Sequence, residues 1–430
     1  MQMPRTSLVV VTAWGLGLLG SFAVAQPAPE RKPAAPPAAS PARPSAAPGA
    51  LEVPKPDSAA KYLGAAMTGP NYTVAPTTRS DGIMRIFRVD TTYGQYDFDG
   101  VEFTKLRLRE LAATAALEKM SKSEEWAKSF GKAAVSPLKF GADFIVNPAE
   151  AINRSASGIS NMFDRVDARL QNQNSNRDST ADSLLGVSDS QRRLAFQLDV
   201  DPYTDFPPLQ NRLQEMSRVM AGGQLTVRAG LAAVTGGIGM GISAATSLEG
   251  AKELLRDKTA AQVIVEVRNM LKSLGVPDEL VTRLVENRNF TPSFLLVMSR
   301  ALVQLNAQNT TAFIERAAEA NSYGVAYFHW RRADLLAARS AELGGLVAFV
   351  PVAGHAVNVT RTGTVVALFP LDDLAWADAP RRTFLAANAE LRRRSPNGKA
   401  VFATTGLVTP RAAAEITKLG WQIVKVKATR

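Results

Sequence analysis

Apolar positions spaced three and four apart run through most of the chain, and that period predicts helices. Phe103, Leu106, Glu110, Ala113, Leu117 and Met120 mark one stripe. Ser121 to Glu124 breaks it, and a second start leads through Trp126, Phe130 and Ala134 to Pro137, which ends or kinks the helix. Asn147 to Val166 predicts another helix, and the Asn-, Gln- and Ser-rich tract from Gln171 to Asp182 predicts a loop. Val263, Val267, Leu271 and Leu274 form a further stripe, stopped by Gly275-Val276-Pro277-Asp278. Thr291-Pro292 sets a capping hydroxyl ahead of a proline at the first helical position. The run Phe294 to Leu305 is apolar on nearly every side and is expected to be buried, with helices following over Thr311 to Ala320 and Tyr323 to Leu343.

Period-two alternation marks two other regions. Ile83 to Asp90 and Tyr93 to Gly100 alternate and turn as a hairpin does, giving a small β unit at about 82–103. After Gly344-Gly345 the strands Leu346 to Val350, Val357 to Thr360 and Thr364 to Phe369 precede a helix over Asp378 to Arg394. A strand over Lys399 to Thr404, a short helix opened by Thr409-Pro410 and a strand from Trp421 to Lys427 complete the order β-β-β-α-β-α-β, whose later strands are expected to be parallel. The fold class is therefore α+β: a mainly helical array over 59–343 that carries the hairpin, followed by an α/β module over 344–430.

One stretch fits neither period. Met220 to Leu248 carries no charge after Arg228 and holds Gly236, Gly237, Gly239 and Gly241, each costing a helix roughly 1 kcal/mol relative to Ala. Residues 229–248 have the length of a membrane span but few large apolar side chains. Burial by neighbouring helices is the expectation, with membrane insertion the alternative. At the N-terminus, Arg5, the apolar core Leu8 to Phe22 and Ala23-Val24-Ala25 form a secretory signal over 1–25. The Pro/Ala-rich spacer over 26–58 cannot bury a core.

Composition narrows the chemistry. The absence of cysteine removes disulfides, thiolate metal sites, cysteine nucleophiles and a lipidated cysteine, and fits a secreted, bacterial periplasmic location. With 50 Lys plus Arg against 39 Asp plus Glu the chain is at +11. Most of that excess lies between Arg381 and Arg430, where only Glu390 and Glu415 are acidic. Export takes this charge away from nucleic acid and toward phospholipid, acidic polysaccharide or an acidic protein, so peripheral membrane association is within its chemistry.

Candidate sites are few. Thr405, Gly406, Thr409 and Arg411 stand where a strand meets a helix N-terminus, which favours an anion, and Arg392, Arg393 and Arg394 add positive charge. A βα turn and a helix C-terminus explain the same residues without a ligand. Asp199-Val200-Asp201-Pro202-Tyr203-Thr204-Asp205 alternates acids, but a calcium loop counted from Asp199 requires Gly at Thr204 and Glu at Gln210. A rigid turn is expected there, with Asp205 capping the next helix. The aromatic group Tyr327, Phe328, His329 and Trp330 is expected in the core. His329 and His355, the only histidines, fall on separate elements without a triad or metal spacing, and no cofactor motif is present. A binding or structural role in the cell envelope follows, an enzyme near Asp372, Thr405 and Arg411 being the rival reading.

Overall fold

The first contacts described belong to a segment whose composition predicts none. The structure, a computed structural model, describes residues 51–122, 188–221 and 249–429. The predicted signal sequence, the predicted helix at 147–166, the polar tract and the glycine-rich stretch at 229–248 lie outside the described residues. Residues 51–58, expected to belong to the spacer, are tied to the rest of the fold. Glu52 N–H donates to Trp376 O at 3.0 Å, and β1 (Asp57–Ser58) pairs antiparallel with β4. Backbone hydrogen bonds and one carboxylate hold a segment that has no apolar periodicity to offer.

After a short helix, α1 (Ala60–Leu63), the strands β2 (Thr68–Gly69), β3 (Tyr72–Val74), β4 (Thr77–Ser80), β5 (Arg85–Thr91) and β6 (Gly94–Asp99) complete an antiparallel sheet. The predicted hairpin is its β5–β6 part, with Thr91 opposite Gly94 across a two-residue turn. The other strands are two to four residues long, too short for alternation to register. Phe87 and Val89 of β5 are fully buried and face the long helix α2 (Val101–Ser121), whose Leu108, Leu111 and Leu117 are equally buried. Gly100 turns the chain into α2 at φ 96°, a conformation only glycine adopts readily.

The helical array continues with α3 (Asp189–Gln197), α4 (Pro207–Ala221), α5 (Glu249–Asp257), α6 (Ala260–Ser273), α7 (Asp278–Val285), α8 (Pro292–Leu305), α9 (Thr310–Ala317) and α10 (Tyr323–Arg339). Hydroxyl caps open several of them. Ser188, Thr291 and Ser322 accept the N–H three residues on, and Thr259 forms a reciprocal capping box with Gln262. Each such cap contributes about 1 kcal/mol. Helix α8 is buried on almost every side, with Leu296, Met298, Ala301 and Leu302 at zero exposure. Asp205 does not cap a helix: its carboxylate meets Arg107 Nη2 at 2.5 Å. Asp201 instead takes the hydroxyls of Ser293 at 2.6 Å and Thr291 at 3.1 Å, so the two acids face different partners. Among the described residues no group of three acids and histidines could hold a metal ion, and no helix is long and apolar enough to cross a membrane.

The second sheet contains β7 (Leu346–Val352), β8 (His355–Thr360), β9 (Val365–Phe369), β11 (Ala400–Thr404) and β13 (Trp421–Lys425), in the order β13-β11-β9-β8-β7. β9, β11 and β13 are parallel, joined through α11 (Asp378–Arg394) and α12 (Pro410–Lys418), while β7, β8 and β9 are antiparallel neighbours. A two-residue pair, β10 (Asp373–Leu374) with β12 (Leu407–Val408), lies just beyond the ends of β9 and β11. Alternation divides the sheet residues between two cores. Ala367, Phe402 and Trp421 pack with Phe384, Leu391 and Ile416 of the crossover helices. Val366, Leu368, Ala403 and Val426 join the core of the helical array. The sheet and the array thus share a core, and the described residues 51–122, 188–221 and 249–429 belong to one compact unit.

Candidate functional site

Strands β9 and β11 end side by side, and the turns that follow them gather polar groups from distant parts of the chain. Asp372 is central to this gathering. Its carboxylate accepts the N–H of Arg85 at 2.9 Å and that of Val101 at 3.1 Å, so a residue 271 positions away caps α2 where Gly100 has no side chain to do so. The main chain ties the same segments, with Asp372 N–H donating to Ile83 O and Leu407 N–H to Asp372 O. Asp373 makes a buried ion pair with Arg85 Nε at 2.7 Å. Arg85 is thereby taken, and Asp372 keeps only backbone partners. Burial pushes Asp372 up to about 7 against the pull of those two N–H groups, and the nearby charges of Asp373 and Glu102 add to the rise.

A carboxyl group that exchanges its proton near neutrality suits general acid or base work. Its surroundings supply little else. The adjoining cleft holds about 60 Å³, lined by Gly100, Phe103, Tyr327, Arg331, Asp372 and Thr405, whereas pockets for organic ligands hold about 300–1,000 Å³. Thr405 Oγ1 donates to Leu371 O at 3.0 Å and so is not aimed at Asp372.

The seven residues of the expected anion site separate into two groups. Thr405, Gly406, Thr409 and Arg411 stand together on the β11–α12 connection, but their polar atoms bond within the chain. Gly406 N–H donates to Thr404 Oγ1 at 3.2 Å, and a Cβ at Gly406 would lie 2.5 Å from Leu371 O and Asp372 O. Thr409 caps α12 and also donates to Glu52 at 2.6 Å; the same carboxylate oxygen receives Trp376 N–H at 2.6 Å. The anion at the start of this helix is the chain's own Glu52. Arg392 bonds the carbonyls of Pro396, Gly398 and Leu419, and Arg394 reaches Pro351 O and Glu390, while Arg393 is exposed. Arg392 and Arg394 thus serve other segments than the Thr405 turn.

The chain matches no known family model, no curated protein and no solved structure. Function must therefore be argued from the site itself.

A larger groove of about 410 Å³ opens at the opposite ends of the same strands, where β9, β11 and β13 begin. Val366, Val401 and Val424 form its apolar floor, and Thr360, Thr364, Lys399, Gln422 and Glu342 supply polar side chains around it. The remaining polar cluster is one that sequence spacing does not reveal. Arg332 on α10 is 2% exposed, yet Phe313 and Phe369 lie beside it and no acidic residue among those described pairs with it. A faint signal exists: Arg332 stands three and four positions before buried Leu335 and Leu336, the spacings at which apolar residues share a helix face. Glu52 has no comparable signal.

Proposed function

We propose that this is an exported cell-envelope protein whose helical array presents the C-terminal sheet module to an anionic surface, most simply anionic phospholipid. The observation that carries the reading is the charge of the module's surface. Arg361, Arg382, Arg393, Arg394, Lys399, Lys418, Lys425 and Lys427 are exposed, whereas Asp378 is the one exposed acid among the described residues 344–429. Acids elsewhere in the module turn inward or are half-covered. A surface of one sign attracts the opposite sign over roughly a Debye length, about 8 Å at physiological salt. Arg5, the Leu8 to Phe22 core and Ala23 to Ala25 support export.

Cosedimentation of the mature chain with phosphatidylglycerol vesicles and with phosphatidylcholine vesicles tests this. Binding confined to the anionic vesicles, released by salt and lost in Arg382→Gln/Arg393→Gln/Lys399→Gln, is the expected result. Equal binding to both lipids, or none, removes the lipid reading; retention on acidic polysaccharide instead moves the same basic surface to a glycan. A catalytic reading draws on the near-neutral proton of Asp372. It requires a substrate that displaces the backbone N–H groups of Arg85 and Val101, and turnover lost in Asp372→Asn is its test.

A further inference from the structure

Both histidines of the chain, 26 positions apart on α10 and β8, gather around one buried cation. Arg332 lies 4.1 Å from the ring centroid of Phe369 and 5.6 Å from that of Phe313. His355 stands edge-on to Phe369 at 5.8 Å, and His329 edge-on to Phe313 at 5.8 Å. The two rings thus carry the guanidinium and both imidazoles. Arg316, from the helix that supplies Phe313, is close enough for its charge to disfavour protonation of both histidines.

A buried charge is normally matched by an opposite one, because desolvation costs several kcal/mol per ion. Arg332 has two carbonyl acceptors instead. Its Nε donates to Leu368 O at 2.9 Å and its Nη2 to Ala356 O. The side-on edge of the guanidinium, Nε with Nη2, is therefore spent, leaving Nη1 and the second N–H of Nη2. His329 Nδ1 is buried without a hydrogen-bond partner. His355 and Arg316 reach the surface, so the cluster has an exposed side.

We propose that Arg332, with His355, His329 and Arg316, receives a phosphate-type oxyanion at this end of the sheet. A tetrahedral oxyanion accepts hydrogen bonds from several directions, which suits the remaining guanidinium donors together with two imidazoles better than a planar carboxylate does. Glu319 pairs with Arg316 at 2.8 Å, and Glu390 accepts Ala353 N–H at 2.6 Å while also holding Arg394. Neither acid neutralises Arg332. Burial, followed by the charges of Arg332 and Arg316, pushes His329 down to about 3 and lowers His355 from its ordinary value. An oxyanion bound among these cations reverses the electrostatic part of both shifts, so binding draws protons onto the imidazoles. The test of this site does not depend on vesicle binding.

With only two histidines, imidazole NMR signals of the labelled full chain give one probe on each side of Arg332. Inorganic phosphate is titrated at constant ionic strength, with chloride making up the difference. The expected result is a saturable shift of both imidazoles and an upward move of the His355 titration. Glycerol 3-phosphate forms a second arm, and tighter binding than inorganic phosphate identifies an esterified headgroup as the source. Arg332→Lys should weaken the midpoint by about tenfold or more, since an ammonium lacks the planar donor set. His355→Ala, at an exposed position outside the core, should weaken it severalfold as read on His329. Shifts that stay linear in phosphate, match chloride, or keep their midpoint in both variants overturn the proposal.

Discussion

Arg107 in the helical array and Arg332 against the central strands of the second sheet are both buried guanidiniums, 5% and 2% exposed, yet their surroundings differ in kind. Arg107 meets Glu110 at 2.7 Å and Asp205 at 2.5 Å and lies against Phe103, Phe206 and Tyr323. Burial opposes its charge, but Asp205 and Glu110 outweigh that and hold it above the ordinary arginine value. Glu110 also accepts the Thr204 hydroxyl at 2.6 Å, so the network closes on itself. Arg332 pairs with no acid among the described residues, and burial brings it down to about 9. Asp372, near the same end of the sheet, is its negative counterpart: a buried carboxyl that keeps backbone partners because Asp373 has taken Arg85. A region whose buried ions are matched has spent its polarity on the fold. A region where they stand single retains polarity that a ligand or a proton can use.

The largest effect should come from breaking the matched network. Arg107→Met leaves Glu110 and Asp205 without their cation, and loss of one partner of a buried pair costs about 3–5 kcal/mol. Urea unfolding measures it, and a loss below about 1 kcal/mol would mean that the network contributes no more than a surface pair. Asp372→Asn tests the unmatched carboxyl through pH. Because the folded state raises this group to about 7 from an unfolded value of 3.8, its contribution is fully present below pH 3.8 and is lost as pH rises through 7. Between pH 5 and pH 8 the native chain should lose roughly 2–3 kcal/mol through this group. The amide cannot titrate, so that share of the slope disappears in Asp372→Asn while the cap on α2 is largely kept. An unchanged slope would place the proton elsewhere. Arg332→Met is predicted to cost less than Arg107→Met, about 1–2 kcal/mol, since it frees two buried carbonyls but also removes an unmatched charge. A cost equal to that of Arg107→Met would erase the distinction between the regions.

The same contrast separates what could be read in the sequence from what could not. Thr291-Pro292 and Thr409-Pro410 open helices where they stand, because a cap and its N–H partner lie three residues apart. Val263, Val267 and Leu271 are buried together for the same local reason. Asp205 was legible as an acid before a helix, but its partner is Arg107, 98 positions earlier. Glu52 filling the start of α12, Asp372 capping α2 and the histidines meeting at Arg332 all join residues with no spacing rule between them. Local chemistry identifies a polar residue's options, and the tertiary arrangement chooses among them. The candidate anion site shows this well: the Thr409 hydroxyl and the helix start were visible, while the carboxylate that occupies them was not.

The smallest predicted effect sharpens the comparison at the turn that carries His355. Val352 pairs with His355 across Ala353-Gly354, and both turn residues have positive φ, 46° and 78°. Two-residue hairpin turns of this kind favour Asn or Gly at the first position, because a Cβ there crowds the backbone at a cost of about 1–2 kcal/mol. Ala353 is held in place by its N–H donating to Glu390, and Arg394, paired with Glu390, also bonds Pro351 O. Strain at this position is thus offset by α11 rather than relieved. Ala353→Gly should stabilise the chain by up to about 1 kcal/mol, the relief being partly offset by the greater freedom of glycine when unfolded. Thermal unfolding reads the gain, and the imidazole titration of His355 reads the geometry. A gain with an unchanged His355 titration shows that the strain is incidental to the cluster. A gain accompanied by weaker phosphate binding shows that the strained turn positions His355 beside Arg332.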